Sequence, residues 1–503
     1  MKKEKLQDAI GMIGDDLVKE AQKKPEPARS TKIKWIAVVA AMLSFVIVLG
    51  VVMRPTKPTV ENKAEMQLSE NVSASLTVDP DLFVLTKAKY PERCQNPGIM
   101  GESIDLEAYD LWDEERREYL SAYNQRTPDL SSFIENSIPA FMEGKEGNVI
   151  YSPINVYMAL ALLGETSQGE SRAQILNALG CDSIEDMRAD ANAIWKALYN
   201  DDGVAKTILA NSLWLRDGAE YNEETLDILA SNYYASAYRG KMGSEEYNGA
   251  LRGWLNEQTD DMLTDQINGL SFDPETVLAM ASTLLFNAKW SDKFDPELTE
   301  KGVFHSYEGD MDCEYMKDSS NGYLFIGEEF TSVRKNFVDA GHMMLVLPEE
   351  GVTPEELIVT DEFADFVNCG VRESTMVEYT DKVCWKKDKY AIINLSMPKF
   401  DVSSQIELTE GLGELGITDI IDETKADMSA ITDDRAFVSK MVHGARVTAD
   451  EEGCTAASFV LTLCGATSAP LDVVDFTLDR PFIFVIAGFD GLPLYIGIVN
   501  SVN

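Results

Sequence analysis

The longest apolar stretch of the chain lies near its N-terminus. Residues Trp35 to Met53 are nineteen positions without a charge, and Ala, Val, Ile and Leu dominate them. As an α-helix, such a run spans about 28 Å, close to the hydrocarbon thickness of a bilayer. The pattern predicts a transmembrane helix over residues 35–53.

The charges on either side of this run give it a direction. Nine Lys or Arg lie in residues 1–34, whereas the next thirty residues after the run hold only Arg54, Lys57 and Lys63. The positive-inside rule then makes residues 1–34 a cytoplasmic tail, residues 35–53 a signal anchor and the rest extracellular, in a single-pass protein of the cell membrane. A cleaved signal peptide is the alternative. The long basic flank and the lack of a small-x-small cleavage site disfavour it.

The segment after the run, residues 54–126, mixes several patterns. Pro55, Pro58 and a polar run to about Asp79 are typical of a linker. A short apolar strand follows at residues 82–85, and then a charged helical run from Asp113 to Tyr123. The pattern leaves two possibilities open: the segment packs on the domain that follows, or it acts as an extracellular spacer.

Near the C-terminus, small residues replace the usual alternation. An apolar stretch at residues 436–438 is followed by Glu451, Glu452 and Gly453, and then by the small residues of positions 454–458. A very apolar stretch comes later, at residues 482–486. Small side chains between two predicted strands favour an exposed loop that can enter a crowded sheet.

Composition excludes several classes of function. The chain has 503 residues, 45% of them hydrophobic, which suffices for one large core with appendages. With 85 Asp and Glu against 44 Lys and Arg, the net charge is −41, so a nucleic-acid partner is not expected. No C-x-x-C pair occurs among the seven Cys, and the odd number argues against a closed disulfide framework. We expect neither a metal nor a cofactor.

The chain also lacks the motifs of the common hydrolases. It has three His, and it contains no G-x-S-x-G, H-E-x-x-H or P-loop sequence. Residues 411–416 do match G-x-G-x-x-G, but Leu408, Leu412 and Leu415 follow helical spacing and no phosphate-binding turn is indicated. His443 has no nucleophile or orienting acid nearby in sequence. We therefore do not expect an enzyme.

Several blocks of sequence follow one another over roughly residues 127–503. The blocks are Asn148 to Pro153 running on to Leu160–Gly164, Ala281 to Trp290 with Phe294, Thr299 and Phe304, Met397 to Phe400, Ala426 to Ser429, Val438 to His443, Pro481–Phe482 and Pro493 to Gly497. Taken together and in this order, they resemble the serpins, the serine protease inhibitor family, and the chain is similar to a bacterial, membrane-anchored member. The resemblance implies an α+β serpin fold, with three β-sheets, eight to nine helices and an exposed reactive-centre loop.

The resemblance also implies a mechanism and a set of site residues. A serpin offers its loop as a substrate, traps the protease as an acyl-enzyme and inserts the cleaved loop as a new strand of its central sheet, a strand addition that is well known. The hinge of that loop would be Glu451, Glu452, Gly453, Cys454, Thr455, Ala456, Ala457 and Ser458. The region where the sheet opens would contain Ser152, Asn155, Ser282, Trp290 and His443. Ser282 departs from the family, which usually has Asn there.

The sequence of the loop is compatible with insertion. Strand alternation puts Cys454, Ala456 and Ser458, followed by Val460 and Thr462, on one face, where all are small or β-branched. Phe459 and Leu461 fall on the other face, away from the close-packed core. The alternative is a non-inhibitory serpin-fold binding protein whose loop never inserts.

The family's usual spacing of seventeen residues from Glu451 predicts the scissile bond at Thr467–Ser468. The bonds that Ala466 and Ala469 form with these two residues are the alternatives. All four candidates are small and uncharged, so they suit an elastase-like or subtilisin-like serine protease better than a trypsin-like one. We expect a monomer that meets the membrane only through its N-terminal helix.

Overall fold

Two large β-sheets, with helices packed against them, make up the part of the chain that the structure describes. The structure is a computed structural model, and it describes residues 41–52, 77–88, 90–97, 106–124, 128–370, 385, 387–452, 472–488 and 491–502. Among these residues there are seventeen strands and eleven α-helices, numbered below in chain order.

The first sheet has eight strands in the order β13-β14-β1-β7-β5-β6-β2, and β4 pairs with β5. Its strands β5 and β7 are buried along nearly their whole length because helices pack against the sheet. Its strands are β1 (Ala41–Val52), β2 (Val84–Thr86), β4 (Asn200–Asp201), β5 (Lys206–Arg216), β6 (Ala235–Gly240), β7 (Thr276–Asn287), β13 (Phe400–Glu407) and β14 (Ala436–Ala449).

The second sheet has nine strands in the order β15-β12-β9-β10-β11-β16-β17-β3, and β8 pairs with β9. Its strands are β3 (Val149–Tyr151), β8 (Glu300–Ser306), β9 (Gly309–Ile326), β10 (Phe330–Phe337), β11 (Gly341–Pro348), β12 (Asp388–Pro398), β15 (Val473–Thr477), β16 (Phe482–Ala487) and β17 (Pro493–Val499).

Eight of the α-helices have ten residues or more. Two short 3-10 turns, at Pro80–Phe83 and Pro296–Leu298, accompany them. The α-helices are α1 (Leu106–Asn124), α2 (Ser131–Met142), α3 (Pro153–Thr166), α4 (Gly169–Leu179), α5 (Ile184–Leu198), α6 (Glu223–Asn232), α7 (Glu245–Gln258), α8 (Thr264–Ile267), α9 (Pro354–Leu357), α10 (Asp361–Gly370) and α11 (Thr409–Glu414).

The number of sheets differs from the three that the family resemblance implies. Strand β9 is eighteen residues long and pairs in turn with β8, β12 and β10. Because this one continuous strand hydrogen-bonds to all three neighbours, strands that could form two smaller sheets belong to a single sheet. The described residues therefore form two sheets.

The N-terminal apolar run also differs from expectation. Residues 41–52, which the sequence pattern assigns to a transmembrane helix over 35–53, form strand β1 between β7 and β14. An apolar run satisfies its backbone equally well in a helix or in a central strand with a neighbour on each side, and periodicity cannot separate the two. Within the described ranges, no helix is both long and apolar enough to cross a membrane.

Part of the segment that precedes the serpin-like blocks packs on the edge of the first sheet. Residues 77–88 and 90–97, here called the N-terminal strap, extend this sheet through pairing of β2 with β6. The Val78 N–H donates to the Gly249 carbonyl of α7 at 3.0 Å, and the Phe83 ring lies 5.1 Å from the Tyr247 ring. The strap therefore covers the edge strand rather than acting only as a spacer.

Helix α1 follows the strap and is also anchored. Its Trp112 side chain is buried, and the Arg116 guanidinium pairs with the Asp339 carboxylate at 3.1 Å and donates to the Asp339 carbonyl at 2.7 Å. Of the two possibilities that the sequence left open for residues 54–126, packing on the domain is what the described parts show. The remaining residues, including 54–76, lie outside the described ranges.

Candidate strand-insertion site

Helix α3 brings two polar residues to the inner face of the first sheet. Ser152 caps this helix: its Oγ accepts the Asn155 N–H at 3.3 Å, and Pro153 follows at the first helical position, where its missing N–H costs nothing. The helix is buried along its entire length. Its first turn therefore presents Ser152 and Asn155 to the strands beneath it.

These two residues bond to the two strands that flank β1. The Ser152 N–H donates to Nε2 of His443 on β14 at 3.1 Å. On β7, the Ser282 hydroxyl donates to Oδ1 of Asn155 at 2.6 Å. Four of the five residues predicted for the sheet-opening region thus form one buried network, and none of the four is more than 1% exposed.

The network ties α3 to β7 and β14 across β1, whose residue Val46 is the cross-strand partner of both Ser282 and His443. The network therefore holds α3 against both strands at the separation that one intervening strand sets. Ser282 has a shorter side chain than the Asn that is usual in the family. It still joins the network because the Asn155 side chain lies within hydrogen-bonding distance of its hydroxyl.

Trp290, the fifth predicted residue, lies apart from the network, at the end of the sheet where the loop begins. Its indole N–H donates to the Asp450 carbonyl at 3.0 Å, and its ring stacks on Phe337 with centroids 4.6 Å apart. Trp290 is 2% exposed. It therefore fixes Asp450, the residue directly after β14, rather than the strands at their middle.

Glu451, the first hinge residue, is held by three partners. Its carboxylate pairs with the Lys399 ammonium at 2.8 Å and accepts the Thr299 hydroxyl at 2.7 Å, while its carbonyl accepts the Phe294 N–H at 3.2 Å. Burial alone would raise the pKa of Glu451, but the hydrogen bonds from Lys399 and Thr299 outweigh it and hold that pKa below its usual value. The base of the loop is therefore fixed as a charged carboxylate.

Lys399 also contacts a second acid, since its ammonium lies 2.9 Å from the Glu314 carboxylate. Burial opposes its charge, but the hydrogen bonds to Glu451 and Glu314 raise the pKa of Lys399. Sequence reasoning found Lys399 and Thr299 only as members of family blocks and missed their role. The signal available was the family-like Met397–Phe400 block, which gives no indication of distance to residue 451.

Glu452 is the second predicted hinge residue. Its N–H donates to the Asp450 carboxylate at 3.0 Å. The other predicted hinge residues, Gly453 to Ser458, lie outside the described residues. So do the four residues at the predicted scissile bond, 466–469. The roles of these residues as hinge and scissile bond therefore remain predictions from the sequence.

Among the described residues there is no cluster of three or more His, Cys, Asp or Glu placed to hold a metal ion. The segment with the G-x-G-x-x-G pattern forms helix α11 and its C-terminal turn, as the spacing of its leucines predicts. The described residues thus show a strand position between β7 and β14, a polar network across it, and a Glu451 side chain that three partners hold in place.

Sequence comparisons with known proteins point to one family. A family model described as Serpin (serine protease inhibitor) covers residues 138–502. Alpha-1-antitrypsin of Meriones unguiculatus is 26% identical over 375 residues, which are 70% of this chain and 84% of that protein. Leukocyte elastase inhibitor of Equus caballus is 26% identical over 358 residues, covering 68% and 89%.

The solved structures agree on the fold. The native state of the thermophilic serpin tengpin superposes with a TM-score of 0.62 at 25% identity, over 74% of this chain and 93% of that one. The family model covers well over half of the chain. The chain therefore belongs to the serpin family.

Proposed function

We propose that this serpin is a membrane-tethered extracellular inhibitor of serine proteases that acts as a suicide substrate. The observation that carries the proposal is the position of Glu451: it lies two residues after the end of β14, the strand that borders β1, and Lys399 and Thr299 fix it there. A loop that leaves from this point and is cut further along can fold back beside β14 with no rearrangement of its base.

The loop sequence supports insertion. From Cys454 onward, alternate residues are small or β-branched, and bulky Phe459 and Leu461 share the opposite parity. No proline interrupts the ladder before Pro470. A strand of this composition can enter a close-packed sheet without overpacking its core face.

The target we propose is an elastase-like or subtilisin-like protease. The candidate residues at the scissile bond are small and uncharged, which suits a small apolar S1 pocket and offers no partner to a buried Asp. The similarity to a leukocyte elastase inhibitor points in the same direction.

The tether we propose is the apolar run of residues 35–53, of which residues 41–52 leave their place as β1 when the run enters a cell membrane, with the domain outside and residues 1–34 inside. Its length and its strongly basic N-terminal flank support this. Expression of the full chain in bacteria, followed by sedimentation with their membranes, tests the tether. Resistance to carbonate extraction and release by detergent are expected; release by carbonate alone would rule out the tether.

The inhibitory mechanism is tested by incubating the full chain, reconstituted in phosphatidylcholine vesicles, with pancreatic elastase and in parallel with trypsin. Denaturing gels and intact-mass spectrometry should show a covalent complex with elastase, and the released C-terminal peptide gives the scissile bond. Cleavage by elastase without a complex would favour the non-inhibitory binding protein. An equally efficient complex with trypsin would leave the mechanism intact and overturn the proposed specificity.

A further inference from the structure

Strand β1 occupies the position at which an inserted reactive-centre loop would lie. It pairs antiparallel with β14 and with β7 along eleven residues on each side. A loop that turns back after β14 also runs antiparallel to β14, and therefore in the same direction as β1. We call the space between β7 and β14 the insertion slot.

The sequence of β1 resembles that of the loop. Residues 44–49 read Ser-Phe-Val-Ile-Val-Leu, and residues 458–463 read Ser-Phe-Val-Leu-Thr-Leu. Four of the six positions are identical, and the other two exchange Ile for Leu and Val for its near-isostere Thr. We call residues 44–49 the mimic segment. The two segments are 414 positions apart in numbering.

The pairing register gives an independent match. In β1, Phe45 pairs with Gly444 and Leu49 with Lys440, so the residue numbers of each pair sum to 489. Adding 414 to the β1 number places Phe459 opposite Gly444, and the same register continued backward pairs Gly453 with Asp450. The chain would then turn through Glu451 and Glu452, a two-residue turn as found in the tightest β-hairpins.

The two β1 side chains that the structure describes are both buried, one on each face of the sheet. Val48 is 1% exposed and belongs to the main core, while Ile47 is 6% exposed and belongs to the second cluster, with Leu251 and Phe272 on the other side of the sheet. A strand that packs both faces and pairs both edges leaves no room for a second strand in the same slot.

We propose that the mimic segment is a built-in competitor of the reactive-centre loop: while it fills the insertion slot, the cleaved loop cannot insert and the protease is not trapped. This inference rests on the proposed inhibitory function. Insertion of residues 35–53 into a bilayer would withdraw the mimic segment from the sheet, because the same residues cannot pair with β7 and span lipid at once. Inhibition would then be restricted to molecules that are seated in a membrane.

Occupancy of the slot is tested by cross-linking in the full chain without lipid. Leu49 and Lys440 are cross-strand partners, so their Cα atoms fall in the range that a disulfide bridges. The double variant L49C/K440C should form an intramolecular disulfide, identified by peptide mapping. The control pair L49C/R446C, roughly 20 Å out of register along β14, should not. No disulfide, or one that links two chains, would overturn the proposal.

Competition is tested with Val48→Asp, which places a charge at a buried position and should expel the mimic segment. Val60→Asp, outside β1, is the matched control. After loop cleavage by elastase without lipid, wild type and V60D should show no rise in unfolding temperature and no covalent complex, and V48D should show both. Oxidised L49C/K440C should lose trapping in vesicles, and reduction should restore it.

The outcomes separate the two proposals. If wild type without lipid already gains stability on loop cleavage to the same extent as V48D, the competitor role is wrong and the inhibitory function stands. If the in-register disulfide forms but cleavage stabilises neither wild type nor V48D, and vesicle-seated protein forms no complex, the inhibitory function fails while occupancy of the slot is upheld.

Discussion

The ion pair at the base of the loop gives the most quantitative prediction. Replacing Lys399 with Met removes the ammonium that lies 2.8 Å from the Glu451 carboxylate, in a site where the two side chains are 32% and 13% exposed. Hydrogen bonds to charged groups contribute about 1.5–3 kcal/mol, and solvent screening at Lys399 favours the lower end. Because the Thr299 hydroxyl still serves the carboxylate, we expect a loss of about 1.5–2 kcal/mol.

The assay is thermal unfolding at neutral pH and a fixed scan rate. With an unfolding entropy of about 2 cal/mol/K per residue over roughly 400 residues, this loss corresponds to a decrease of about 2 °C in the unfolding temperature. Glu314→Gln is the matched control. It removes the other partner of the same ammonium, but its carboxylate is 52% exposed, so we expect a change of about 0–1 kcal/mol.

The sign of the pH dependence follows from Glu451. Because the pKa of Glu451 is lower in the folded than in the unfolded state, its contribution is complete above the unfolded-state pKa and disappears as pH falls through the folded-state value. The difference between wild type and K399M should therefore shrink in acid below about pH 4. Equal effects of K399M and E314Q, or a K399M effect that stays constant into acid, would refute the reasoning.

Three further predictions concern the network, the strap and the hinge. Ser282→Ala removes the 2.6 Å hydrogen bond to Asn155 and should cost about 1 kcal/mol in the free energy of unfolding, measured by urea denaturation; no change would show that the network does not stabilise the sheet. Tyr90→Ala deletes a ring that lies 5.3 Å from Trp195 and should cost about 2 kcal/mol by the same measurement, with increased proteolysis of the strap; unchanged proteolysis would contradict its anchoring role. Ala456→Arg should convert the vesicle-bound inhibitor into a substrate of elastase, whereas Ala457→Arg, of opposite strand parity, should still form the complex on denaturing gels; equal behaviour would contradict the predicted faces.

Much of the fold and part of the site could be predicted from the sequence. The blocks around Ser152, Ser282 and His443 predicted that these residues belong to one region, and the structure brings them together with Asn155. Their spacing of more than a hundred residues carries no information on distance, so the family pattern alone provided the grouping. The same pattern put Trp290 in this group, although it lies at the base of the loop.

The N-terminal run shows where sequence reasoning could not decide. Nineteen uncharged residues satisfy the requirements of a membrane span, and the central position of a sheet covered on both faces has the same requirements. Hydropathy records burial but not the kind of neighbour. Only the pairing partners on β7 and β14, which are more than two hundred residues away, determine that residues 41–52 are a strand in this structure.

The role of Lys399 was out of reach for a related reason. Glu451 and Lys399 are 52 positions apart, and in a chain with 85 acidic residues no charge pattern singles out one pair. The fold brings Lys399 and Glu451 together because the end of β14 lies beside the turn that connects β12 to β13.

The central claim is that cleavage of the loop leads to strand insertion and trapping, and the most direct test is the reaction of the vesicle-reconstituted full chain with pancreatic elastase on a denaturing gel. The account predicts a covalent complex that survives detergent, with a C-terminal peptide released from a bond at or next to Thr467–Ser468. Complete cleavage of the loop with no such complex, in protein shown to be seated in the membrane, would contradict it.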